Sequence, residues 1–245
     1  NINPIAGMIQ VYVGDTFTKS VRGSRQFQYL SDERGQRRLA HQVADFIYEV
    51  VLGVPGSFNS KVAYVSRSNR GFALIVADAD GAYPQTILES REPILSPTWS
   101  PDGRRLAYAS LEGKRNQIIV QDLYSGRRNV VIQEDGINSA PTWSPDGTRL
   151  AFTLSRDGNP EIYSANADGS GLRRLTNHPG IDTEPAWGRD GMIYFTSDRG
   201  GAPQIYRMSE NGGSAMRVTN VGSYNGNATI SRDGRWMAMM QRTGQ

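Results

Sequence analysis

The chain has 245 residues, enough for one large domain or two smaller ones with a buried core. Lys and Arg exceed Asp and Glu by only three and are scattered along the chain, so we expect no nucleic-acid-binding surface. The absence of cysteine excludes disulfides and Cys-based metal sites, and no apolar run is long enough to predict a transmembrane segment.

The first 55 residues predict part of an α/β unit. Residues 8–13 and 27–30 have the composition of strands. Between Arg37 and Leu52, apolar residues recur at helical spacing with polar residues between them, which predicts an amphipathic helix of about four turns. Gly53 to Ser57 end this helix and form a linker. We therefore interpret residues 1–55 as the C-terminal part of an α/β amino-terminal domain, and residues 56–245 as a second domain.

A repeated motif dominates the rest of the chain. The segment Pro97-Thr98-Trp99-Ser100-Pro101-Asp102-Gly103 returns at Pro141 to Gly147 and, in weaker form, at Pro185 to Gly191 and Ala228 to Gly234. The Asp-Gly pairs are separated by 44, 44 and 43 residues, and short apolar runs follow each pair. Four short strands per repeat of this length are typical of a β-propeller blade. We predict a mainly β fold, a propeller with about four blades present.

The turn residues of the motif agree with this prediction. In Ser-Pro-Asp-Gly, proline presets the second position of a type I turn and glycine supplies the positive φ that follows it. The repeated Trp is therefore interpreted as a core residue between neighbouring blades. Residues 61–65 match the second strand of the later repeats, so we expect the first blade to lack its innermost strand, which would have to come from the far end of the chain. We expect the chain to be truncated at both ends, within the α/β domain at its start and within the propeller at its end.

The segments that lead into the innermost strands are the predicted binding surface. They comprise residues 91–96, 135–140, 180–184 and 223–227, and they converge on one mouth of the central channel, where loops on a rigid scaffold usually carry function. The alternative is that these short polar segments only cap strand ends. The candidate partner-binding residues are Ile94, Leu95, Ser96, Ile137, Asn138, Ser139, Ala140, Asp182, Thr183, Glu184, Tyr224, Asn225 and Asn227.

The sequence contains no recognisable catalytic set. A serine peptidase of the prolyl oligopeptidase type requires a Gly-x-Ser-x-Gly elbow, which does not occur in the chain. The two histidines, His41 and His178, are too far apart in the pattern to predict a metal cluster. We predict a non-enzymatic protein without metal or cofactor. The alternative is the regulatory or gating propeller of a prolyl-oligopeptidase-like serine peptidase.

The order of these segments resembles the TolB family. The helix from Arg38 to Glu49, the short linker, the strand from Lys61 to Val65 and the tandem Pro-x-Trp-Ser-Pro-Asp-Gly motifs follow one another in that family, and the resemblance covers nearly the whole chain. It implies a six-bladed propeller in the periplasm of Gram-negative bacteria, acting in the Tol-Pal system in outer-membrane integrity and cell division. The main partner would be the peptidoglycan-associated lipoprotein Pal, bound at the channel mouth, with TolA as another.

Overall fold

The computed structural model describes residues 3–5 and 7–242 of the chain. Their contacts divide the chain into two compact units. The first comprises Asn1–Val62 and Val76–Gln85, and the second comprises Ala63–Ile75 and Thr86–Gln245. The first unit thus continues past residue 55, and a domain boundary at that position remains a prediction.

The first unit contains a small sheet and one long helix. Strands β1 (Asn3–Ile5), β2 (Met8–Asp15) and β3 (Ser20–Gln28) form an antiparallel sheet in that order, and helix α1 spans Glu33–Leu52. The buried core between sheet and helix consists of Val11, Phe27, Leu39 and Phe46. The helix and the strand predicted at residues 8–13 are confirmed. The strand predicted at residues 27–30 overlaps only the last two residues of β3, which begins seven residues earlier and ends at Gln28.

Helix α1 begins four residues before the predicted position because of its cap. The Asp32 carboxylate accepts a hydrogen bond from the Gly35 backbone N–H at 3.1 Å, which satisfies one of the free donors of the first turn. Gly53, with φ 71°, ends the helix in the left-handed conformation. The first turn is polar, so apolar periodicity alone did not indicate it.

Five antiparallel sheets follow along the chain, and we call them blades 1 to 5. Blade 1 contains β4 (Lys61–Ser68), β5 (Gly71–Asp78) and β6 (Gln85–Ser90). Blade 2 contains β7 (Ile94–Trp99), β8 (Arg105–Ser110), β9 (Gln117–Asp122) and β10 (Arg128–Ile132), with a 3-10 helix at Glu112–Lys114. Blade 3 contains β11 (Asn138–Trp143), β12 (Arg149–Leu154), β13 (Glu161–Asn166) and β14 (Arg173–Arg174). Blade 4 contains β15 (Asp182–Trp187), β16 (Met192–Ser197), β17 (Gln204–Ser209) and β18 (Met216–Arg217). Blade 5 contains β19 (Tyr224–Ile230) and β20 (Met237–Arg242).

The sheet sizes match the frame of the sequence repeat. Blade 1 has three strands, blades 2, 3 and 4 have four, and blade 5 has two. Strand β2 pairs with β1 and β3, so it does not serve as the innermost strand of blade 1. Strands β7, β11, β15 and β19 each form one edge of their sheet and pack side by side, which identifies them as the innermost strands of a propeller.

Neighbouring blades share apolar cores. One core joins Ile118 and Val120 of blade 2 to Leu150 and Phe152 of blade 3, and a second joins blade 3 to blade 4. The motif tryptophans Trp143 and Trp187 are buried in these cores, as predicted, with 5% and 7% of their surface exposed. The side chains between the blades therefore hold the second unit together.

Candidate functional site: the channel mouth

The candidate residues lie at the same end of four adjacent innermost strands. Strands β7, β11, β15 and β19 begin at Ile94, Asn138, Asp182 and Tyr224, so the predicted loops extend into the strands themselves. We call this end the mouth face. The opposite end, where the Ser-Pro-Asp-Gly turns connect each innermost strand to the next strand, is the turn face. The structure therefore brings the thirteen candidates together on one face.

Each innermost strand carries a bulge near the mouth face. The strand register shifts at the same repeat position in all four hairpins. The residue within each bulge has positive φ although none is glycine: Ser96 (50°), Ala140 (48°), Glu184 (54°) and Asn227 (52°). Such backbone is uncommon for residues with a side chain and persists only where the surrounding structure imposes it. The mouth face is thus a ring of four irregular segments on a regular scaffold.

Four of the candidates are buried. Ile94, Asn138, Asp182 and Asn225 stand at equivalent repeat positions, and each has at most 1% of its surface exposed. Asn138 shows why: its Nδ2 donates to the Glu134 carbonyl at 2.7 Å, and its Oδ1 accepts from the Glu134 N–H at 2.9 Å. Asn225 likewise donates to the Val221 carbonyl of its approaching loop at 2.7 Å. The side chains at these four positions are not exposed to a partner.

Exposed apolar side chains surround the mouth. Leu95 and Ile137 are 47% and 42% exposed. Ile181 and Val221, 47% and 74% exposed, add to them. Ile181 lies in a predicted segment but was not chosen as a candidate, and Val221 lies outside the predicted segments. The repeat itself could have indicated Ile181, because it stands 44 residues after Ile137. Exposed apolar groups on rigid backbone are typical of a protein-binding surface.

The remaining candidates are part-buried or exposed and several are tied together by hydrogen bonds. Glu184 Oε2 accepts from Thr196 Oγ1 and from the Asn227 backbone N–H, both at 2.8 Å, which links blade 4 to the bulge of blade 5. The hydroxyls of Thr183 and Thr153 lie 3.3 Å apart. Ser96 and Asn227 are exposed, whereas Ser139, Ala140, Thr183, Glu184 and Tyr224 are half-buried.

A polar cavity of about 590 Å³ also opens on the mouth face. It is lined by Glu92, Leu111, Arg115, Asn116, Glu134, Asp135 and Gly136. Leu111, Arg115 and Asn116 belong to the segment between β8 and β9. This segment lies outside the repeated motif, so comparison of the repeats did not indicate it. Glu134 forms an ion pair with Arg156 at 2.9 Å.

The turn face has a different character. Ser100, Ser144 and Ser231 each donate their hydroxyl to the Asp two positions later, at 2.5, 2.6 and 2.6 Å. These hydrogen bonds lower the pKa of the Asp carboxyls, that of Asp146 to about 2. Gly103 and Gly147 follow with φ 68° and 71°, as the turn type requires. The motif residues at this end are accounted for by the geometry of the turns.

Metal binding and membrane spanning have no candidate among the described residues. Within residues 3–5 and 7–242, no cluster of three or more His, Asp or Glu side chains is arranged to hold a metal ion. No helix in the same ranges combines the length and the apolar character that crossing a membrane requires.

The chain is similar in sequence to proteins of known family. The profile of the TolB β-propeller domain matches residues 48–245. The Tol-Pal system protein TolB of Thioalkalivibrio sulfidiphilus is 62% identical over 76 residues, which are 29% of this chain and 18% of that protein. The protein of the same name from Ruthia magnifica is 42% identical over 105 residues, 41% of this chain and 24% of that protein.

Solved structures extend the similarity to almost the full chain. TolB from Acinetobacter baumannii has a TM-score of 0.89 and 40% identity over 99% of this chain, which spans 62% of the Acinetobacter protein. A puromycin-hydrolysing peptidase of Mycobacterium tuberculosis, at a TM-score of 0.56 and 17% identity over 76% of this chain and 36% of that one, shares the fold alone. On the match over residues 48–245, the chain belongs to the TolB β-propeller family.

Proposed function

We propose that the chain is part of a periplasmic protein of the Tol-Pal system whose propeller binds other proteins. Family membership supports this proposal, because the curated relatives are named as Tol-Pal system proteins. The chain spans 62% of the Acinetobacter protein, so the activity of the whole protein is a proposal for this chain. The expected role is in outer-membrane integrity and cell division.

The observation that carries the proposal is the ring of bulges at the mouth face. Four innermost strands depart from regular geometry at one position, and the departure is placed where apolar side chains such as Leu95 and Ile137 are exposed. Strained backbone is commonly retained at binding sites because a fixed surface loses less entropy on association. Among the described residues, the turn face carries no such ring of bulges, and its motif Ser and Asp side chains hydrogen-bond to one another.

The proposed partner at the mouth face is the peptidoglycan-associated lipoprotein Pal, with TolA as a further partner. An exposed apolar centre with charged groups at its edge, such as the Glu134–Arg156 pair, fits a folded protein surface. We propose that the protein acts by this binding and does not catalyse a reaction, in line with relatives named for a Tol-Pal system and not for an enzyme.

Binding of purified Pal to the chain tests the proposal. Ile137→Arg places a charge at the mouth face without touching a buried contact, because Ile137 is 42% exposed. We expect it to weaken binding by at least about 2 kcal/mol, or roughly thirtyfold in Kd, by calorimetric titration. Thr183→Arg should act in the same direction.

The matched control is Val130→Arg, which makes the same kind of change at a 52% exposed aliphatic residue on the outermost strand of blade 2. Circular dichroism and thermal unfolding establish that each variant is folded. Equal affinity of Pal for Ile137→Arg, Thr183→Arg and the parent would remove the mouth face as the binding surface. Comparable weakening by Val130→Arg would also contradict it.

A further inference from the structure

A buried hydrogen-bond network joins blade 4 to the start of β19. Gln204 Oε1 accepts from Thr219 Oγ1 at 2.8 Å and from Asn225 Nδ2 at 2.7 Å. The same Asn225 amide donates its other hydrogen to the Val221 carbonyl at 2.7 Å, and its Oδ1 accepts from Gln241 Nε2 at 2.9 Å. Both hydrogens of the Asn225 amide therefore point at acceptors, and every polar atom of that side chain is satisfied.

The preceding repeat has the same framework with two acids in place of the two amides. Asp182 and Glu161 stand 43 residues before Asn225 and Gln204. Thr176 Oγ1 accepts from the Ile162 N–H at 2.9 Å and donates to Glu161 Oε2 at 2.5 Å, as Thr219 does in the next repeat. The loops from the threonine to the start of the innermost strand have equal length. The two networks thus use equivalent positions for the threonine and for the two acids or amides. They differ in the residue that donates to Asp182 or Asn225, because Gln241 corresponds in strand register to Ser197 and not to Arg199.

The exchange of amide for acid leaves Asp182 without a hydrogen where one is needed. Both carboxyl side chains are fully buried, at 0% exposure. Asp182 Oδ2 accepts from Arg199 at 2.6 Å, as Asn225 Oδ1 accepts from Gln241, but Asp182 Oδ1 has no hydrogen-bond partner. By the equivalence of the repeats, Oδ1 corresponds to the Asn225 amide nitrogen, which donates to Gln204 at the position of Glu161. A buried carboxylate oxygen that accepts no hydrogen bond is costly.

We propose that the Asp182 carboxyl is protonated, with the proton on Oδ1, where it replaces the amide hydrogen of the neighbouring repeat and closes the loop of residues 177–182 against blade 3. The proton supplies the donor that this buried oxygen lacks as a carboxylate. The consequence is a pH-sensitive segment directly under the bulge at Glu184. This inference does not depend on the proposed function.

The donors around the two acids leave Asp182 Oδ1 without one. Arg199 donates to Asp182 Oδ2, and Glu161 Oε1 accepts from Arg174 at 2.8 Å and from the His178 N–H at 2.7 Å. Glu161 Oε2 accepts from Thr176 Oγ1, so Asp182 Oδ1 is the carboxyl oxygen of the two side chains that has no partner. Further acids contact this region from its edge: Asp157 lies 3.7 Å from Arg174, and Asp198 Oδ1 accepts from the Ile181 N–H at 2.7 Å.

The surroundings of Asp182 shift the pKa of its carboxyl upward. Burial raises the pKa of the Asp182 carboxyl, and the charge of Glu161 adds to this effect, whereas Ser197, Arg199 and Thr176 act against it. A folded-state pKa above the unfolded value of about 4 means that the folded chain binds the proton more tightly. The stabilisation is complete below about pH 4 and is lost as pH rises through the folded-state pKa.

Thermal unfolding between about pH 4 and about pH 8 tests this inference. Asp182→Asn introduces the amide that the next repeat has at this position, and the amide hydrogens are present at every pH. We expect this variant to unfold several degrees higher than the parent at pH 8, and the difference to shrink toward pH 4. In the parent, the infrared band of a protonated carboxyl should be present at neutral pH and lost in the variant.

Asn225→Asp is the matched control because it creates an unpaired carboxylate against Gln204. We expect it to lower the unfolding temperature at pH 8 and to recover as the pH falls, which shows that the assay detects such a site. The inference is wrong if Asp182→Asn unfolds below the parent at pH 8, if the difference between them is the same at every pH, or if no protonated-carboxyl band is lost.

Discussion

At the scale of single residues, the turn-face carboxylates show how a repeated motif stabilises its own turn. Asp146 Oδ1 accepts from the Ser144 hydroxyl at 2.6 Å and from the Thr148 N–H and hydroxyl at 3.0 and 2.9 Å. Three donors converge on one oxygen and lower the pKa of Asp146 to about 2. The Ser-x-Asp spacing is therefore explained by hydrogen bonds within the turn.

This pKa gives a prediction for acid stability. Because the folded-state pKa of Asp146 lies below its unfolded value, its contribution is present above about pH 4 and is lost as the pH falls toward 2. Asp146→Asn should lower the free energy of unfolding at pH 7 by about 1 kcal/mol or less, since the group is exposed and screened, and by less at pH 2. Denaturant unfolding at both pH values measures this difference.

Ser144→Ala provides the control for this turn. It removes the donor that contributes most to the lowered pKa, so the loss of stability in acid should begin at a higher pH than in the parent. An Asp146→Asn variant whose stability differs from the parent by the same amount at pH 7 and pH 2 would contradict the assignment.

At the scale of the strand, the bulges impose backbone that a side chain disfavours. Ala140 has φ 48° and lies between Ser139 and Thr142, where the pairing of β11 with β12 shifts register. A residue with a Cβ in this region costs about 1–2 kcal/mol relative to ordinary backbone. The strand pairing on either side of the bulge maintains this unfavourable conformation, so each innermost strand is strained at the mouth face.

Substitutions at Ala140 separate strain from packing. Ala140→Val should destabilise the chain by about 1–2 kcal/mol because a β-branched residue is poorly accommodated at positive φ. Ala140→Gly should change stability by less than about 1 kcal/mol, since relief of strain offsets the greater entropy of the unfolded chain. Urea unfolding of both variants measures the two effects.

Ser139→Val is the matched control, because Ser139 is the adjacent half-buried residue of the same strand and does not have positive φ. Valine is favoured in ordinary strands, so little destabilisation is expected there. If Ala140→Val were tolerated as well as Ser139→Val, the positive φ would not limit the choice of residue at this position.

At the scale of the whole molecule, the repeat was the most informative feature of the sequence. A fixed period predicted the blades, the frame in which they begin and the burial of Trp143, because each repeat packs on its neighbour in the same way. Strand β1 and the first seven residues of β3 were not predicted, since Ser20–Gln28 is mostly exposed and polar. Its pairing with β2 is decided by the sheet and not by its own composition.

The candidate site was predicted in position but not in detail. Alignment of the repeats placed Asn138, Asp182 and Asn225 at one end of the innermost strands, and the structure has them there. Their burial could not be inferred, because a polar residue at a strand end is normally exposed unless partners distant in sequence satisfy it. Gln204, the partner of Asn225, lies 21 residues away in another blade.

The blades depend on one another through their shared cores, and Trp143 is the side chain that shows this dependence best. It belongs to the core between blades 2 and 3, its Nε1 donates to the Thr98 carbonyl at 3.3 Å, and the Arg105 guanidinium lies 4.5 Å from its ring centre. A propeller segment of this kind is stabilised by interfaces between neighbouring repeats. Loss of this side chain should therefore loosen two blades and not one.

Trp143→Ala should lower the free energy of unfolding by about 3–5 kcal/mol, because it removes a large side chain that is only 5% exposed. Native-state hydrogen exchange should become faster in β7 and β8 of blade 2 as well as in β11 and β12 of blade 3, because both blades line the cavity that is left. Trp236→Ala is the control: Trp236 is 73% exposed, so its removal should change stability by about 0.5 kcal/mol or less. Faster exchange confined to blade 3 would show that the blades are stable independently, which would contradict the view that their shared cores hold this part of the chain together.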